Sequence, residues 1–141
     1  MADAKEISRQ LTEGPWQGKL DDVIGYVADD YVGHQPGAPE LHGKEGFKEF
    51  VGTYLAAFPD GKITVDDQIA EGDKVTTRWT AHGTNTGELM GMPATGREVT
   101  VTGMTYSRIS GGQVHESWGS WDTLSMLQQL GAVPQTTATK S

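Results

Sequence analysis

Residues 113–122 carry the side chains best suited to chemistry, and they end on Asp122. Along an alternating strand Glu116, Trp118, Ser120 and Asp122 share one face, while His115, Ser117, Gly119 and Trp121 share the other. A carboxylate beside indoles in a poorly hydrated pocket is harder to ionise than one in water, which suits it to take up and return a proton. General acid/base work by Asp122 is one expectation, with Trp118 as a flat surface for a ligand and Glu116 beside it. The plainer reading of Asp122 is an N-cap on the helix that follows, and the two roles are compatible.

The four histidines are dispersed. His34 is expected at the wall of a pocket, where a ring N–H would polarise a carbonyl; its alternative is a loop residue fixing the Gln35-Pro36 turn. His82 shares a strand face with Arg78 and Thr80. His42 and His115 read as solvated or interface positions. No His-x-His or His-x-x-x-His spacing occurs and the chain has no cysteine, so neither a metal site nor a thiolate nucleophile is expected. Most of the aromatic residues read as core, but Phe50 and Tyr54 on one helical stripe, together with Met104, suit an adaptable apolar wall for a ligand. Met90 and Met92 suit the same wall.

These residues sit in a chain of 141 residues with 19 acidic and 11 basic side chains, a net charge of −8. That length suits one domain with an ordinary core, so residues 1–141 are read as a single unit with loose ends over 1–5 and 135–141. An acidic chain without a basic block lacks the footprint for nucleic acid or anionic membrane surfaces. The longest apolar run, Tyr54 to Phe58, is far short of the roughly 18–20 residues that cross a bilayer. A cytoplasmic protein is expected, consistent with the lack of cysteine.

The elements that must position the candidates follow from periodicity. Leu20, Val23, Ile24, Val27 and Tyr31 fall on one helical stripe, with Asp21, Asp22, Asp29 and Asp30 turned away, so a helix is predicted there. A second helix opens at Gly43, presents Phe47, Phe50, Val51, Tyr54 and Leu55, and stops at Pro59 and Gly61. A short helix before Gly14–Pro15 is also predicted. After Gly61 the period becomes two: strands over 62–70 and 75–82 joined by a tight turn, a long loop over 83–96, then strands over 97–109 and 113–121 joined by Ser110-Gly111-Gly112. Asp122 then caps a helix over 124–130 that ends at Gly131. Helices followed by about four antiparallel strands indicate an α+β fold, in which a curved sheet wrapped around helices leaves a cavity.

Several stretches resemble a known family. Thr80 to Gly96, Val99-Thr-Val-Thr-Gly103 and Gly112 to Gly131, with Tyr31-Val-Gly-His34-Gln-Pro36 and Gly43-Lys-Glu-Gly-Phe47, are similar to the SnoaL-like polyketide cyclases, or ester cyclases. The resemblance runs from about Leu20 to Pro134. It implies a cone-shaped α+β barrel of the NTF2-like type, a homodimer packed through the outer sheet face, and a hydrophobic small-molecule substrate. It further implies cofactor-free chemistry, in which an aspartate removes a proton from a carbon flanked by carbonyls and the enolate closes a ring by intramolecular aldol addition. Glu116, Trp118 and Asp122 match the family's final strand. Arg78 stands on the strand face where related epoxide hydrolases keep an arginine and an acid, but Thr80 follows it here. The chain also departs from the pattern at Gly119, where relatives often carry an aspartate, at Ser117, where many have histidine, and at Asn85.

Three functions stay open at this point. One is a ring-closing or isomerising enzyme acting on a polyketide-like carbonyl compound with Asp122 as acid/base. The second is a non-catalytic module holding a hydrophobic small molecule in the same cavity. The third is an epoxide-hydrolase-like enzyme in which Asp122 activates water. For the homodimer, Val99, Val101 and Trp79 are the candidate outer-face residues.

Overall fold

The computed structural model describes residues 3–89 and 91–132 of the chain. Met90, Pro134 and the tail over 135–141 lie outside the described residues. Helix α1 (Ala4–Glu13) starts where the Asp3 carboxylate accepts the Glu6 amide at 2.9 Å, and it buries Ile7 and Ser8. A 3-10 turn over Gly14–Gln17 leads to the single-turn α2 (Leu20–Val23). The chain continues through strands β1 (Val27–His34) and β2 (Leu41–His42) into α3 (Gly43–Ala57). Four longer strands follow, β3 (Lys62–Glu71), β4 (Lys74–Thr84), β5 (Glu98–Ser110) and β6 (Gln113–Trp121), and α4 (Thr123–Leu130) comes last.

All six strands form one sheet in the order β2-β1-β6-β5-β4-β3. The β3–β4–β5–β6 meander is antiparallel, and the β3–β4 turn places Gly72 at φ 61° as its first loop residue. Strand β1 runs parallel to β6, pairing Gly33 with Ser117 and His34 with Trp118, so the sheet is mixed and larger than the four-stranded meander that periodicity predicts. The helix expected over Leu20 to Tyr31 stops at Val23, and Val27 onward is strand. The reason lies in a break of register between Val27 and Val32, which turns both Asp29 and Asp30 to solvent while Val27 and Tyr31 stay buried. Buried positions four apart with two acids between them carry the signature of a helical stripe.

Bulges bend the sheet around the helices. One lies between Val65 and Asp67 of β3; another sets Arg108 and Ile109 of β5 opposite Glu116 and Val114 of β6, leaving His115 as the extra residue. One core cluster, around Phe58, Trp79, Val101 and Met126, fills the α4 end of the concave face. A second, around Ile7, Val27, Tyr31 and Val114, fills the α1 end. Between them the helices and sheet do not meet.

Candidate active site

The space between the two clusters is a cavity of about 190 Å³. Helix α3 supplies Phe47, Phe50, Val51 and Tyr54 to its wall, as the amphipathic pattern of that helix dictates, and α1 supplies Ser8, Leu11 and Thr12. From the sheet come Tyr31, Trp79, Val99, Val101, Thr105, Ser107, Ser117 and Trp121. An aromatic corner lies at one side, where the Trp121 indole sits 5.9 Å from Phe50, 6.1 Å from Tyr54 and 6.2 Å from Trp79 between ring centroids. The Trp79 indole lies over Gly103, the residue opposite it on β5, where a side chain would strike the ring.

Polar groups on this wall are few, and most are paired. The Tyr31 hydroxyl and Ser117 Oγ share a hydrogen bond of 2.7 Å. Trp79 Nε1 donates to Thr105 Oγ1 at 3.1 Å, and the hydroxyls of Ser8 and Thr77 are 2.8 Å apart. Burial raises the ionisation of the Tyr31 phenol above 10.0, an effect that the Ser117 hydrogen bond partly offsets, and burial raises that of Tyr54 as well. Both phenols are therefore neutral at physiological pH and serve as hydrogen-bond donors or acceptors. The Gln35 carboxamide also lines the cavity, against Gly119 of β6.

The face that β6 turns inward is the one carrying Ser117, Gly119 and Trp121. This corrects the expectation that Glu116, Trp118 and Asp122 face the cavity: the alternation groups the residues properly, but it assigns the group to the wrong side. Asp122 is exposed, and its carboxylate accepts the Ser125 amide at 3.0 Å as the N-cap of α4. Trp118 is 39% exposed on the convex face, stacked on the His34 ring at 5.3 Å and 16°. Glu116 lies beside them, 2.8 Å from His34 Nε2 and 3.6 Å from the Arg108 guanidinium. His34 thus belongs to a convex-face ion cluster rather than to the cavity wall. Met104, 51% exposed, and Arg78, which faces Asp66 at 3.8 Å, are on that convex face too.

Phe50 and Tyr54 do line the cavity. His82 is at the rim where β3 begins and β4 ends, next to Lys62 and Gly83, but its exposed ring is on the convex face with Arg78 and Thr80, with Nδ1 3.0 Å from Thr100 Oγ1. Asp66 accepts from Thr80 Oγ1 at 2.6 Å, and Asp60 accepts the Thr84 amide at 2.7 Å. That amide bond, more than the nearby His82, holds the Asp60 carboxyl below its ordinary value of 3.8. Asn85 is buried and structural: its side chain accepts from the Thr95 amide and hydroxyl, each at 2.9 Å, and donates to the Gly87 carbonyl at 2.8 Å, clamping the 85–97 loop.

Sequence reasoning misses Tyr31, Ser117 and Gln35 as cavity residues. The charge on Glu116 is the available signal for β6: a carboxylate with an arginine across the strand pair belongs with solvent, which sends Ser117 and Gly119 inward. Among the described residues no helix is long and apolar enough to cross a membrane.

The sequence model of the SnoaL-like polyketide cyclases matches residues 5–130. The chain is 32% identical over 133 residues to the aklanonic acid methyl ester cyclase DnrD of Streptomyces peucetius, covering 89% of each protein. It is 30% identical over 118 residues to the nogalonic acid methyl ester cyclase of Streptomyces nogalater, covering 81% of this chain and 87% of that one. Among solved structures it resembles IdmH of Streptomyces antibioticus, with a TM-score of 0.80, 34% identity, and coverage of 92% of this chain and 99% of that one.

Proposed function

This chain belongs to the SnoaL-like polyketide cyclase family and is an enzyme of the cyclase type, and from that premise we propose that it closes a carbocyclic ring in a polyketide-like carbonyl or ester substrate by intramolecular aldol addition. The observation that carries this reading is the cavity, apolar and aromatic over most of its wall, with neutral hydrogen-bonding groups on the sheet side. Such a site holds a flexible apolar chain in a folded conformation and keeps water away from a reactive carbanion.

In the reaction a proton leaves a carbon flanked by two carbonyls, the resulting enolate carbon bonds to a second carbonyl carbon, and that carbonyl oxygen takes a proton to become a hydroxyl. Substrate and product have the same mass. The Tyr31–Ser117 pair offers a donor to the oxygen on which charge develops. None of the three side chains that the sequence puts forward as proton carriers, Asp122, His34 and His82, is turned into the cavity, so the cavity's own contribution is hydrogen bonding and enclosure. Incubation with aklanonic acid methyl ester, the compound named for DnrD, tests the reading. An isomeric product with a new ring supports it, and recovery of unchanged ester together with unchanged nogalonic acid methyl ester rejects it.

The assembly proposed is a homodimer through the convex sheet face. Val99, Val101 and Trp79 are buried on the concave side and take no part. The exposed apolar residues there include Ile69, Met104, Tyr106 and Trp118, with Tyr106 and Trp118 rings 5.3 Å apart. A monomer by light scattering at micromolar concentration rejects this assembly. A cytoplasmic setting completes the proposal, supported by the lack of cysteine.

A further inference from the structure

We propose that Gln35 orients the substrate, through a hydrogen bond between its carboxamide and a substrate carbonyl, and that Gly119 exists to admit it. The inference rests on the cyclase reading for the identity of the substrate, but not for the geometry. Gln35 follows directly on β1 and is the only carboxamide on the cavity wall among the described residues. Its side chain fills the volume that a residue at position 119 would claim: a Cβ built on Gly119 runs into Gln35 Oε1 and stands 3.0 Å from Cδ. Any side chain at 119 therefore evicts the amide.

The carboxamide has no hydrogen-bond partner among the described residues, whereas the main-chain carbonyl of Gln35 accepts from Ala38 at 3.3 Å. The Tyr31–Ser117, Trp79–Thr105 and Ser8–Thr77 groups around the same cavity are partnered. Gln35 is half-buried, so its amide is left to whatever occupies the cavity beside it, and a ligand carbonyl there gains a protein hydrogen bond. Its NH2 group offers N–H donors to a substrate carbonyl, and its oxygen is an acceptor.

Its place also fits the reaction. Ser117, Gly119 and Trp121 are successive inward positions of β6, about 7 Å apart along the strand. A carbonyl held by Gln35 lies between the Tyr31–Ser117 pair on one side and the aromatic corner at Trp121 on the other. Two points of attachment and a flat wall fix the fold of a substrate chain in a way that an all-apolar cavity does not. The amide neither gives nor takes a proton in this scheme; it is a positioning residue.

The test uses two ligands of the same shape, 2-acetylnaphthalene and 2-ethylnaphthalene, which differ by one carbonyl oxygen. The wild-type protein is expected to bind the ketone about 5–10-fold more tightly by calorimetry, the yield of one hydrogen bond. Gln35→Leu, which keeps bulk against Gly119, should bring that ratio close to unity while retaining affinity for the hydrocarbon. Gly119→Ala, which displaces the amide without altering it, should do the same and stands in if Gln35→Leu does not fold. A ratio near unity in the wild type, or a ketone preference that survives both substitutions, overturns the proposal. So does an equal loss of affinity for both ligands, the mark of a structural role. If the ketone preference depends on Gln35 but neither methyl ester is cyclised, the cyclase reading fails and the carbonyl site stands.

Discussion

The hydroxyls of Tyr31 and Ser117, 86 residues apart in the chain, meet at 2.7 Å where parallel strands β1 and β6 lie side by side. Both residues are buried, so removing one partner strands the other away from water. Tyr31→Phe is expected to cost about 1–3 kcal/mol in urea denaturation and to lower turnover. The double variant Tyr31→Phe/Ser117→Ala should cost less than the two single changes added together, because each single change already breaks the shared bond. Strict additivity would show that the pair is not coupled.

The convex-face rings and carboxylates should be dispensable for turnover. His82→Gln should leave kcat unchanged, since the ring is exposed and bonded to Thr100 on the outer face. Asp122→Asn should leave turnover intact, since asparagine caps a helix as well as aspartate does, whereas Asp122→Ala should cost about 1 kcal/mol of stability through the lost bond to Ser125. Loss of turnover in Asp122→Asn or in His82→Gln, with folding unchanged, would show that a group outside the cavity takes part in the reaction.

Stability should fall at both pH extremes for identifiable reasons. The folded Asp60 carboxyl is held below 3.8, so its contribution is present above that value and is lost as pH falls through the lowered folded value. Asp60→Asn should be less stable than the wild type at neutral pH, and the gap should close in acid. Tyr31 and Tyr54 are raised above 10.0; their contribution is complete below 10.0 and is lost as pH climbs through the raised folded values. An alkaline absorbance titration should show two phenols ionising late, and Tyr31→Phe should remove one of them.

Asn85 binds the long loop to the rest of the molecule. Asn85→Ala leaves the Thr95 amide and the Gly87 carbonyl without that partner in a part-buried setting, at a cost of about 1–2 kcal/mol. Hydrogen exchange of the Gly96 amide, which donates to the Asn85 carbonyl at 2.8 Å, should accelerate more than exchange in β5. Uniform acceleration throughout the sheet would contradict a local clamp.

The parts of the fold that depend on local chemistry are legible in the sequence. The β3–β4 hairpin announces itself through Gly72 and period-two alternation, and α4 through Asp122 at its start and Gly131, at φ 80°, at its end. Helix α3, with Phe50 and Tyr54 on its inner stripe, is equally plain. What escapes is what bulges change. The irregularity within β1 lets a strand imitate a helix, and the extra residue at His115 puts Val114 and Ser117 on one face despite an odd spacing. Strand alternation groups Glu116 with Trp118 correctly, yet it cannot tell inside from outside without a partner strand. The cavity's polar groups depend on β1 lying parallel to β6, a contact between distant segments with no local signature.

That same parallel pairing dictates an order of events during synthesis. Strands β3, β4 and β5 emerge in sequence and can pair by local hairpin contacts, while β1, made earlier, has its place in the sheet only when β6 has left the ribosome. Until then Tyr31 lacks Ser117, Gln35 lacks the hollow at Gly119, and β1 exposes an unpaired edge. A chain cut short before residue 113 would therefore retain a meander but no binding chamber, and a pulse of hydrogen exchange during refolding should find β1 among the last segments to become protected.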